Sequence, residues 1–302
     1  MQGTGTQADP YQITSVDELI EYAKKDDVYL KIMNDIDFNN YSGWMLPTIE
    51  VRCFEIDGDG HNLSNIYIKN ASLFNATDKD GPVFSTRTST FKNITMEIIQ
   101  IGNAPIFGGY EEKPAYAIKC IQLLDCDIRI KSYPTNTIFI LANITSEIVF
   151  INIRRSIINI DVYGCGYGIC LINTRSITIS DKSTIEYSEI QVNIYNGNNV
   201  SLNSLIGLIY IDNVAIFVNM DKITNRKYTL FNHTTLTNSY IIIKQDNLEV
   251  MSWGFDSSNT FLSTCFYNKD YLTLPAVINL HALTTAECKS VSKLTELGFV
   301  VS

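Results

Sequence analysis

The sequence predicts an all-β protein, a parallel β-helix in which the chain coils around one long core. Short runs of alternating β-branched residues recur along the chain at intervals of about 24 to about 34 residues, as in stacked-repeat proteins. Alternation with period two places these side chains on one face of a strand. The runs are Ile66/Ile68, Ile94/Met96/Ile98, Ile128/Ile130, Ile158/Ile160/Val162, Ile190/Val192/Ile194, Val214/Ile216/Val218 and Ile241/Ile243.

A second observation supports the same fold. An apolar pair stands a few residues before most of these runs, and a short polar link separates the two. The pairs are Ile121/Leu123, Ile148/Phe150, Ile177/Ile179 and Ile209/Ile211. Two strands meeting at a corner in every coil are typical of a parallel β-helix, whereas an antiparallel sandwich needs frequent hairpin signals. We expect about eight coils with strands about 4.8 Å apart, and Ile128, Ile158, Ile190 and Ile216 stacked inside.

The remaining elements follow in chain order. Ser15-Val-Asp-Glu18 is a capping box that begins a short helix running to about Lys25. A strand at 29–33 and a tight Asp-Gly turn at 57–60 precede the coils, and 108–114 is a loop inserted in one coil. A second capping box at 284–287 begins a closing helix that ends at Gly298.

The chain is therefore expected to be one β-helix domain over residues 1–302. Residues 1–65 form the N-terminal cap and first coil, 66–270 the central coils, and 271–302 the C-terminal cap. A helix at each end shields the outermost strands, whose unpaired N–H and C=O groups would otherwise be a template for aggregation.

Composition limits the classes of function. The 302 residues carry a net charge of −9, which argues against a protein that binds nucleic-acid phosphates. No signal peptide and no apolar run of membrane-spanning length are visible, so neither secretion nor membrane insertion is expected. Seven cysteines lack metal-ligand spacing and are interpreted as reduced, mostly buried thiols. We expect no metal and no other cofactor.

The two ends of the chain resemble a known family. Residues 3–13, 34–37 and 57–66 read GTGTQADPYQI, NDID and DGDGHNLSNI, and 284–289 read TTAECK. These segments are similar to the N-terminal cap, first coil and last helix of pectin-lyase-like β-helices, which occur in phage fibre and appendage proteins and in bacterial surface proteins. The resemblance implies a single-stranded right-handed parallel β-helix with short N-terminal and C-terminal capping helices.

Enzymes on this fold act on polysaccharides, so the sequence was searched for their catalytic groups. An inverting hydrolase needs carboxylates about 6.5–9.5 Å apart around a water molecule. Arg129-Ile-Lys131 is the one match to the polygalacturonase pattern. Asp127, Arg129 and Lys131 alternate outward and share a solvent face, and Asp161 lies beside them if the coils stack in register. A solvated face with weak ion pairs is the alternative interpretation.

Two further features have competing interpretations. Asp57-Gly-Asp-Gly60 could suggest a calcium loop, but position twelve is Ile68 rather than Glu, which favours a plain turn. In the late coils the outward positions are also apolar, so something should cover them: a C-terminal segment of the chain or another subunit. These interface candidates are Ala215, Phe217, Tyr240 and Ile242.

These observations predict a non-enzymatic structural protein of a phage virion, such as a fibre, appendage or decoration component, assembled in the host cytoplasm. Its expected partners are other virion proteins and copies of itself, with a trimer among the options, and a host-surface glycan. Two alternatives stay open on the same fold. One is a polysaccharide lyase or hydrolase with Asp127, Arg129, Lys131 and Asp161 as its site, and the other is a glycan-binding surface adhesin.

Overall fold

The chain forms a parallel β-solenoid built from three sheets. The computed structural model describes residues 2–40, 48–75, 87–108, 119–135, 138–143, 149–164, 169–173, 183–195, 203–207, 209–221, 228–232, 234–245, 253–255, 260–261, 265–270 and 280–296. From the strand at Tyr29–Ile32 to that at Cys265–Asn268 the chain visits the three sheets in turn, one strand each per coil, and every strand pair in the described ranges is parallel. The predicted parallel β-helix is confirmed at this level.

Sheet A has ten strands. Its strands are β1 Tyr11–Ile13, β2 Tyr29–Ile32, β5 Glu55–Asp57, β8 Arg87–Lys92, β11 Lys119–Leu124, β14 Val149–Arg154, β17 Ser183–Glu186, β20 Ile209–Asp212, β23 Thr235–Thr237 and β26 Thr260–Phe261. Two of the predicted apolar pairs, Ile121/Leu123 and Ile209/Ile211, lie in it. In the strand at 149–154 the residues in line with Ile121 and Leu123 are the buried Ile151 and Ile153 instead of the predicted Ile148/Phe150, and Ile177/Ile179 lie outside the described residues.

Sheet B also has ten strands and contains the alternating runs that dominate the sequence. Its strands are β3 Ile36–Asp37, β6 Asn62–Lys69, β9 Thr95–Ile101, β12 Asp127–Tyr133, β15 Ile157–Tyr163, β18 Glu189–Tyr195, β21 Ala215–Asp221, β24 Tyr240–Gln245, β27 Cys265–Asn268 and β28 Leu280–Leu283.

Sheet C, with eight strands, was not predicted from the sequence. Several of its strands are short, and the pairing of others shifts register along the strand. They therefore lack the sustained alternation that identifies a strand from sequence. Its strands are β4 Ile49–Glu50, β7 Phe74–Asn75, β10 Phe107–Gly108, β13 Ile138–Asn143, β16 Ile169–Asn173, β19 Asn203–Gly207, β22 Tyr228–Asn232 and β25 Trp253–Phe255.

The interior is an aliphatic stack that repeats from coil to coil. Ile128 pairs in register with Ile158 on the next coil, and the column continues through Ile190 to Ile216. All four side chains are fully buried, which confirms the predicted core. Because each coil buries its apolar face only against its neighbours, the stack supplies a core that no single coil could make.

Helices occur near both ends. α1 Val16–Ala23 buries Val16, Leu19 and Ala23. The Ser15 hydroxyl accepts from Glu18 N as predicted, and the Glu18 carboxylate reaches back to accept from Thr14 N at 2.7 Å. Near the C-terminus two short helices stand in place of one, α2 Thr285–Cys288 and α3 Val291–Glu296, and the predicted end at Gly298 lies outside the described residues.

The capping box that begins α2 is complete. Thr284 Oγ1 accepts from Glu287 N, and the Glu287 carboxylate accepts from Thr284 N at 2.7 Å. Phe38–Asn40 adds one turn of 3-10 helix. In the ranges that the model describes, no helix combines the length and apolar character needed to cross a membrane.

A left-handed residue marks six successive corners between sheets A and B, from the corner between β8 and β9 to the corner between β23 and β24. The backbone N–H of each donates to a carbonyl oxygen of the next coil in most cases, for example Asp125 N to Arg154 O at 3.1 Å. The left-handed conformation is tolerated best by glycine, asparagine and aspartate. The corner residues are Asn93, Asp125, Arg155, Tyr187, Asn213 and Asn238.

Candidate functional site

The outward side chains of sheet B form continuous rows along the solenoid, because the strands pair without a register shift from β9 to β24. Arg129 lies between Glu97 and Asn159 on the neighbouring coils, and Lys131 lies between Ile99 and Asp161. Asn159 and Asp161 are followed by Gln191 and Asn193. The in-register alignment expected from the sequence is therefore confirmed, and it brings the four predicted site residues onto one face.

A depression of about 350 Å³ opens on this face. It combines an apolar floor with charged and amide groups at its rim. Its lining residues are Asn65, Glu97, Ile98, Ile99, Arg129, Ile130, Lys131, Asn159 and Asp161. Asp127 is not among them, although it contacts Arg129 beside the depression.

An ion-pair cluster borders the depression. Arg129 Nη2 donates to Asp127 Oδ2 at 2.6 Å, and Arg129 Nε donates to Asp127 Oδ1 at 3.3 Å. A longer contact of 3.5 Å joins Arg129 Nη1 to Glu97 Oε1. Donation to the Asp127 carboxylate raises the pKa of the Arg129 guanidinium. Both oxygens of Asp127 thus face a cation that neutralises them.

A ladder of amides continues from Asp161. Asn193 Nδ2 donates to Asp161 Oδ1 at 2.8 Å, and Asn219 Nδ2 donates to Asn193 Oδ1 at 2.7 Å on the following coil. Gln191 Nε2 donates to the same Asn193 oxygen at 3.2 Å. The ladder fixes the orientation of each amide, so donors and acceptors are held in place before any ligand arrives.

Lys131 differs from Arg129 in having an unshared charge. Its side chain is exposed, and within the described ranges its ammonium group makes neither a hydrogen bond nor an ion pair. A cation at the rim of a depression with no protein counter-ion is available to a ligand oxygen.

A row of tyrosines borders the same face. The Tyr133 and Tyr163 rings stack with centroids 5.0 Å apart, and the Tyr163 and Tyr195 rings stack at 5.1 Å. Partial burial, with smaller contributions from Asp161 and the adjacent tyrosines, raises the pKa of Tyr163. This row was not predicted from the sequence, although each tyrosine is the last residue of its sheet B strand.

The predicted interface candidates lie farther along the same sheet. Ala215, Phe217, Tyr240 and Ile242 all point outward and are all half-buried. The Phe217 ring meets Tyr240 edge-on at 5.7 Å, and Tyr240 stacks on Phe266 at 5.0 Å. The chain itself therefore covers part of this apolar wall, and the role of these residues as an interface stays a prediction.

The Asp-Gly turn at 57–60 is held by local contacts. Asp57 Oδ1 accepts from Asp59 N at 3.0 Å, and Lys92 Nζ lies 3.2 Å from Asp57 Oδ2. Despite partial burial, hydrogen bonds from Asp59, Asn93 and Lys92 lower the pKa of Asp57. These contacts stabilise a turn, in line with the plain-turn interpretation of Asp57-Gly-Asp-Gly60. Among the described residues, no group of three or more His, Cys, Asp or Glu is placed to hold a metal ion.

Several cysteines are buried thiols, as expected. Burial raises the pKa of Cys126 to about 12 and that of Cys265 to about 11, so neither is an activated nucleophile.

Comparisons with known proteins add little beyond the fold. No family model matches the chain, and no curated protein matches it. A crystal structure from Bacteroides ovatus, provisionally named as an immunoglobulin A1 protease, is similar at 16% identity and TM-score 0.45, over 87% of this chain and 86% of that one. The SRRP of L. reuteri 53608 is similar at 13% identity and TM-score 0.33, over 85% of this chain and 99% of that one. At these values neither likeness supports an inference about function.

Proposed function

We propose that the chain is a non-enzymatic structural protein of a phage particle whose sheet B wall binds a glycan on the host surface. The resemblance of the two ends to phage β-helices favours this setting, in which the protein is part of the virion. The observation that carries the binding role is the depression beside Lys131, together with the rows that continue from it.

Glycan binding suits the chemistry of this wall. A polysaccharide presents repeated hydroxyl groups along an extended chain, and the wall presents polar groups repeated at the spacing of the coils, about 4.8 Å. Asn159 and Asp161 supply amide and carboxylate partners for hydroxyls, and Ile99 supplies an apolar surface for a sugar ring. In the rows that continue from the depression, Gln191, Asn193 and Asn219 are already oriented by hydrogen bonds, so a polysaccharide bound along them orders few side chains.

The absence of catalysis is part of the proposal. Glycoside hydrolysis requires one carboxyl group to give a proton and another to activate water or attack the sugar. Both Asp127 oxygens accept hydrogen bonds from Arg129, and one Asp161 oxygen accepts from Asn193. Carboxylates held in this way are poorly suited to proton transfer.

A second candidate function is a polysaccharide lyase or hydrolase. The observation that favours it is proximity, because Arg129, Lys131 and Asp161 line one depression and Asp127 contacts Arg129 beside it. In that case Lys131 and Asp161 would be the groups nearest the sugar. Turnover, rather than binding, distinguishes this candidate from the first.

The proposal includes the finer features of the fold. We propose a right-handed, single-stranded coil, the hand that parallel crossovers strongly prefer. We also propose that α1 caps one end of the stack and that α2 and α3 cap the other. Packing of α1 against β1 and β4 supports the first cap. Other virion proteins and further copies of the chain, including a trimer, are the proposed partners.

The test is to incubate the protein with a panel of capsular polysaccharides and to measure binding and cleavage together. The proposal predicts saturable binding of at least one polysaccharide with no new reducing or unsaturated ends. Cleavage that disappears in Asp161→Ala would instead establish the enzyme, and a lack of binding to every polysaccharide would refute the glycan-binding role.

A further inference from the structure

Two rows of outward side chains run side by side along sheet B. The first row contains a cation, a carboxylate and an amide, and the second contains only tyrosines. Both rows cross the same three coils, on the strands β12, β15 and β18. Each tyrosine follows its neighbour in the first row by two residues, so the rows are about 7 Å apart along the strands. The first row is Lys131, Asp161 and Asn193, and the second is Tyr133, Tyr163 and Tyr195.

The tyrosine rings cover one another's faces. The planes of Tyr133 and Tyr163 are inclined by 14°, and those of Tyr163 and Tyr195 by 16°. Rings stacked in this way offer a ligand their edges and hydroxyl groups rather than their faces. Within the described ranges the hydroxyl groups of Tyr133 and Tyr163 make no hydrogen bond to the protein. A phenol hydroxyl both donates and accepts, so these groups are available to a ligand on successive coils.

The charges of this wall do not suit a charged polymer. On β9, β12, β15 and β18 four carboxylates and two cations point outward, so a polyanion is repelled. The carboxylates are Glu97, Asp127, Asp161 and Glu189, and the cations are Arg129 and Lys131. Because Lys131 and Asp161 lie on adjacent coils, a polymer with the same charge on every unit meets one of them unfavourably. An uncharged, hydroxyl-rich polymer donates to one and accepts from the other.

We infer that Tyr133, Tyr163 and Tyr195 are a second row of binding residues for the polysaccharide, and that this polysaccharide is uncharged. This role rests on the proposed glycan binding and extends it beyond the depression, whose lining does not include the tyrosines. A sugar chain that lies along the solenoid axis meets one residue of each row on every coil. Its hydroxyl groups then face phenols on one side and an ammonium, a carboxylate and an amide on the other.

Phenylalanine separates the two features of the tyrosine row, because it keeps the ring stack and removes the hydroxyl group. The triple variant Tyr133→Phe, Tyr163→Phe and Tyr195→Phe should bind an uncharged polysaccharide at least about tenfold more weakly than wild type. Tyr163→Phe alone should weaken binding about threefold. Tyr187→Phe is the matched control, since Tyr187 is also an exposed tyrosine (54%) but lies at the corner before β18, and it should leave binding unchanged.

Two comparisons of ligands test the direction and the class of the sugar chain. Wild type should bind oligosaccharides of the same polysaccharide more tightly as they become long enough to reach further coils, and the triple variant should lose most of this gain. A polyuronate of equal length should bind wild type at least about tenfold more weakly than the uncharged chain. Isothermal titration calorimetry measures both, and the melting temperature of each variant should stay near that of wild type.

The results distinguish the tyrosine row from glycan binding itself. Binding that falls in Lys131→Ala but is unchanged in both phenylalanine variants would overturn the role of the tyrosines and leave the proposed function intact. Tighter binding of the polyuronate would overturn the uncharged class of sugar. A wild-type chain that binds no polysaccharide would refute the proposed glycan binding and the tyrosine row together.

Discussion

Asn193 Nδ2 donates a hydrogen bond of 2.8 Å to Asp161 Oδ1 across the gap between two neighbouring coils. Asn219 extends the same ladder by one more coil at 2.7 Å. These side chains are half-buried, and each fixes the direction of the next. The outer wall of sheet B is therefore an ordered array of donors and acceptors rather than a set of independently moving polar groups.

Asn193→Ala is expected to weaken both this ladder and polysaccharide binding. The substitution removes the donor to Asp161 and the acceptor used by Asn219, so the free energy of unfolding should fall by about 1 kcal/mol. Chemical denaturation and equilibrium binding measure the two effects. Asn62→Ala is the control, because Asn62 is exposed and lies outside the ladder; an equal loss of binding in that variant would contradict the role of the ladder.

Ser156→Ala is expected to destabilise the corner. Ser156 Oγ accepts from Cys126 N at 3.1 Å and donates to Arg154 O at 3.0 Å, and the residue is 1% exposed. Alanine leaves a buried N–H without its acceptor, which costs about 1–3 kcal/mol in unfolding free energy. Ser64→Ala should lower the free energy of unfolding far less, because in the described part of the chain no buried N–H donates to the Ser64 hydroxyl. If Ser156→Ala lowered the free energy of unfolding no more than Ser64→Ala, the proposed role of the Ser156 hydroxyl would be disproved.

Ile158 and Ile157 are adjacent residues with opposite orientations. Ile158 is fully buried, whereas Ile157 is 45% exposed. Ile158→Ala should lower the free energy of unfolding by about 2–5 kcal/mol because it opens a cavity in the core, and Ile157→Ala should change it by less than about 1 kcal/mol. Urea unfolding of the two variants gives both free energies of unfolding. Similar decreases would show that the inward and outward positions of this strand are wrongly assigned.

The ion pair between Asp125 and Arg155 predicts a pH dependence. The side-chain hydrogen bonds from Arg155 lower the pKa of the Asp125 carboxyl below 3.8. A lowered folded-state pKa contributes stability that is present above the unfolded-state value and is lost as the pH falls through the folded-state value. Because the pair is exposed and screened by water, its contribution at neutral pH should be small.

Asp125→Asn keeps a residue suited to the left-handed corner while removing the charge. The variant should therefore be slightly less stable than wild type at neutral pH, and the difference should vanish in acid below the pKa of Asp125. Urea titrations at the two pH values measure this. A difference that stays constant in acid would show that the charge of Asp125 is not responsible.

The strands of sheet B could be predicted from the sequence because their inner faces carry mostly β-branched aliphatic side chains with strict period two. Ile128, Ile158 and Ile190 show this pattern, and their coils stack as expected. Those of sheet A could be predicted only in part, since the pair Ile148/Phe150 is one residue out of phase with the buried Ile151 and Ile153. Sheet C could not be predicted, because strands as short as Phe107–Gly108 are defined by their neighbours in the stack rather than by their own residues.

The candidate site was only partly predictable for a related reason. Alternation placed Asp127, Arg129 and Lys131 on one outer face, and the assumption of in-register coils added Asp161. The period-two pattern places a side chain on a face but does not say which charged groups form ion pairs. Those pairs depend on the side-chain geometry between neighbouring coils. The sequence therefore could not show that Arg129 is neutralised by Asp127 while Lys131 makes no ion pair with any residue that the structure describes.

The central claim is that the sheet B wall binds a glycan at the depression beside Lys131 without cleaving it. The most direct measurement is the equilibrium dissociation constant of one bound polysaccharide for wild type, Lys131→Ala and Lys69→Ala, with reducing ends assayed in the same samples. Lys69 is an exposed lysine on the same sheet that does not line the depression. We predict at least about tenfold weaker binding for Lys131→Ala, unchanged binding for Lys69→Ala and no cleavage by any of the three. Equal affinities for all three proteins, or the release of new reducing ends by wild type, would contradict the account.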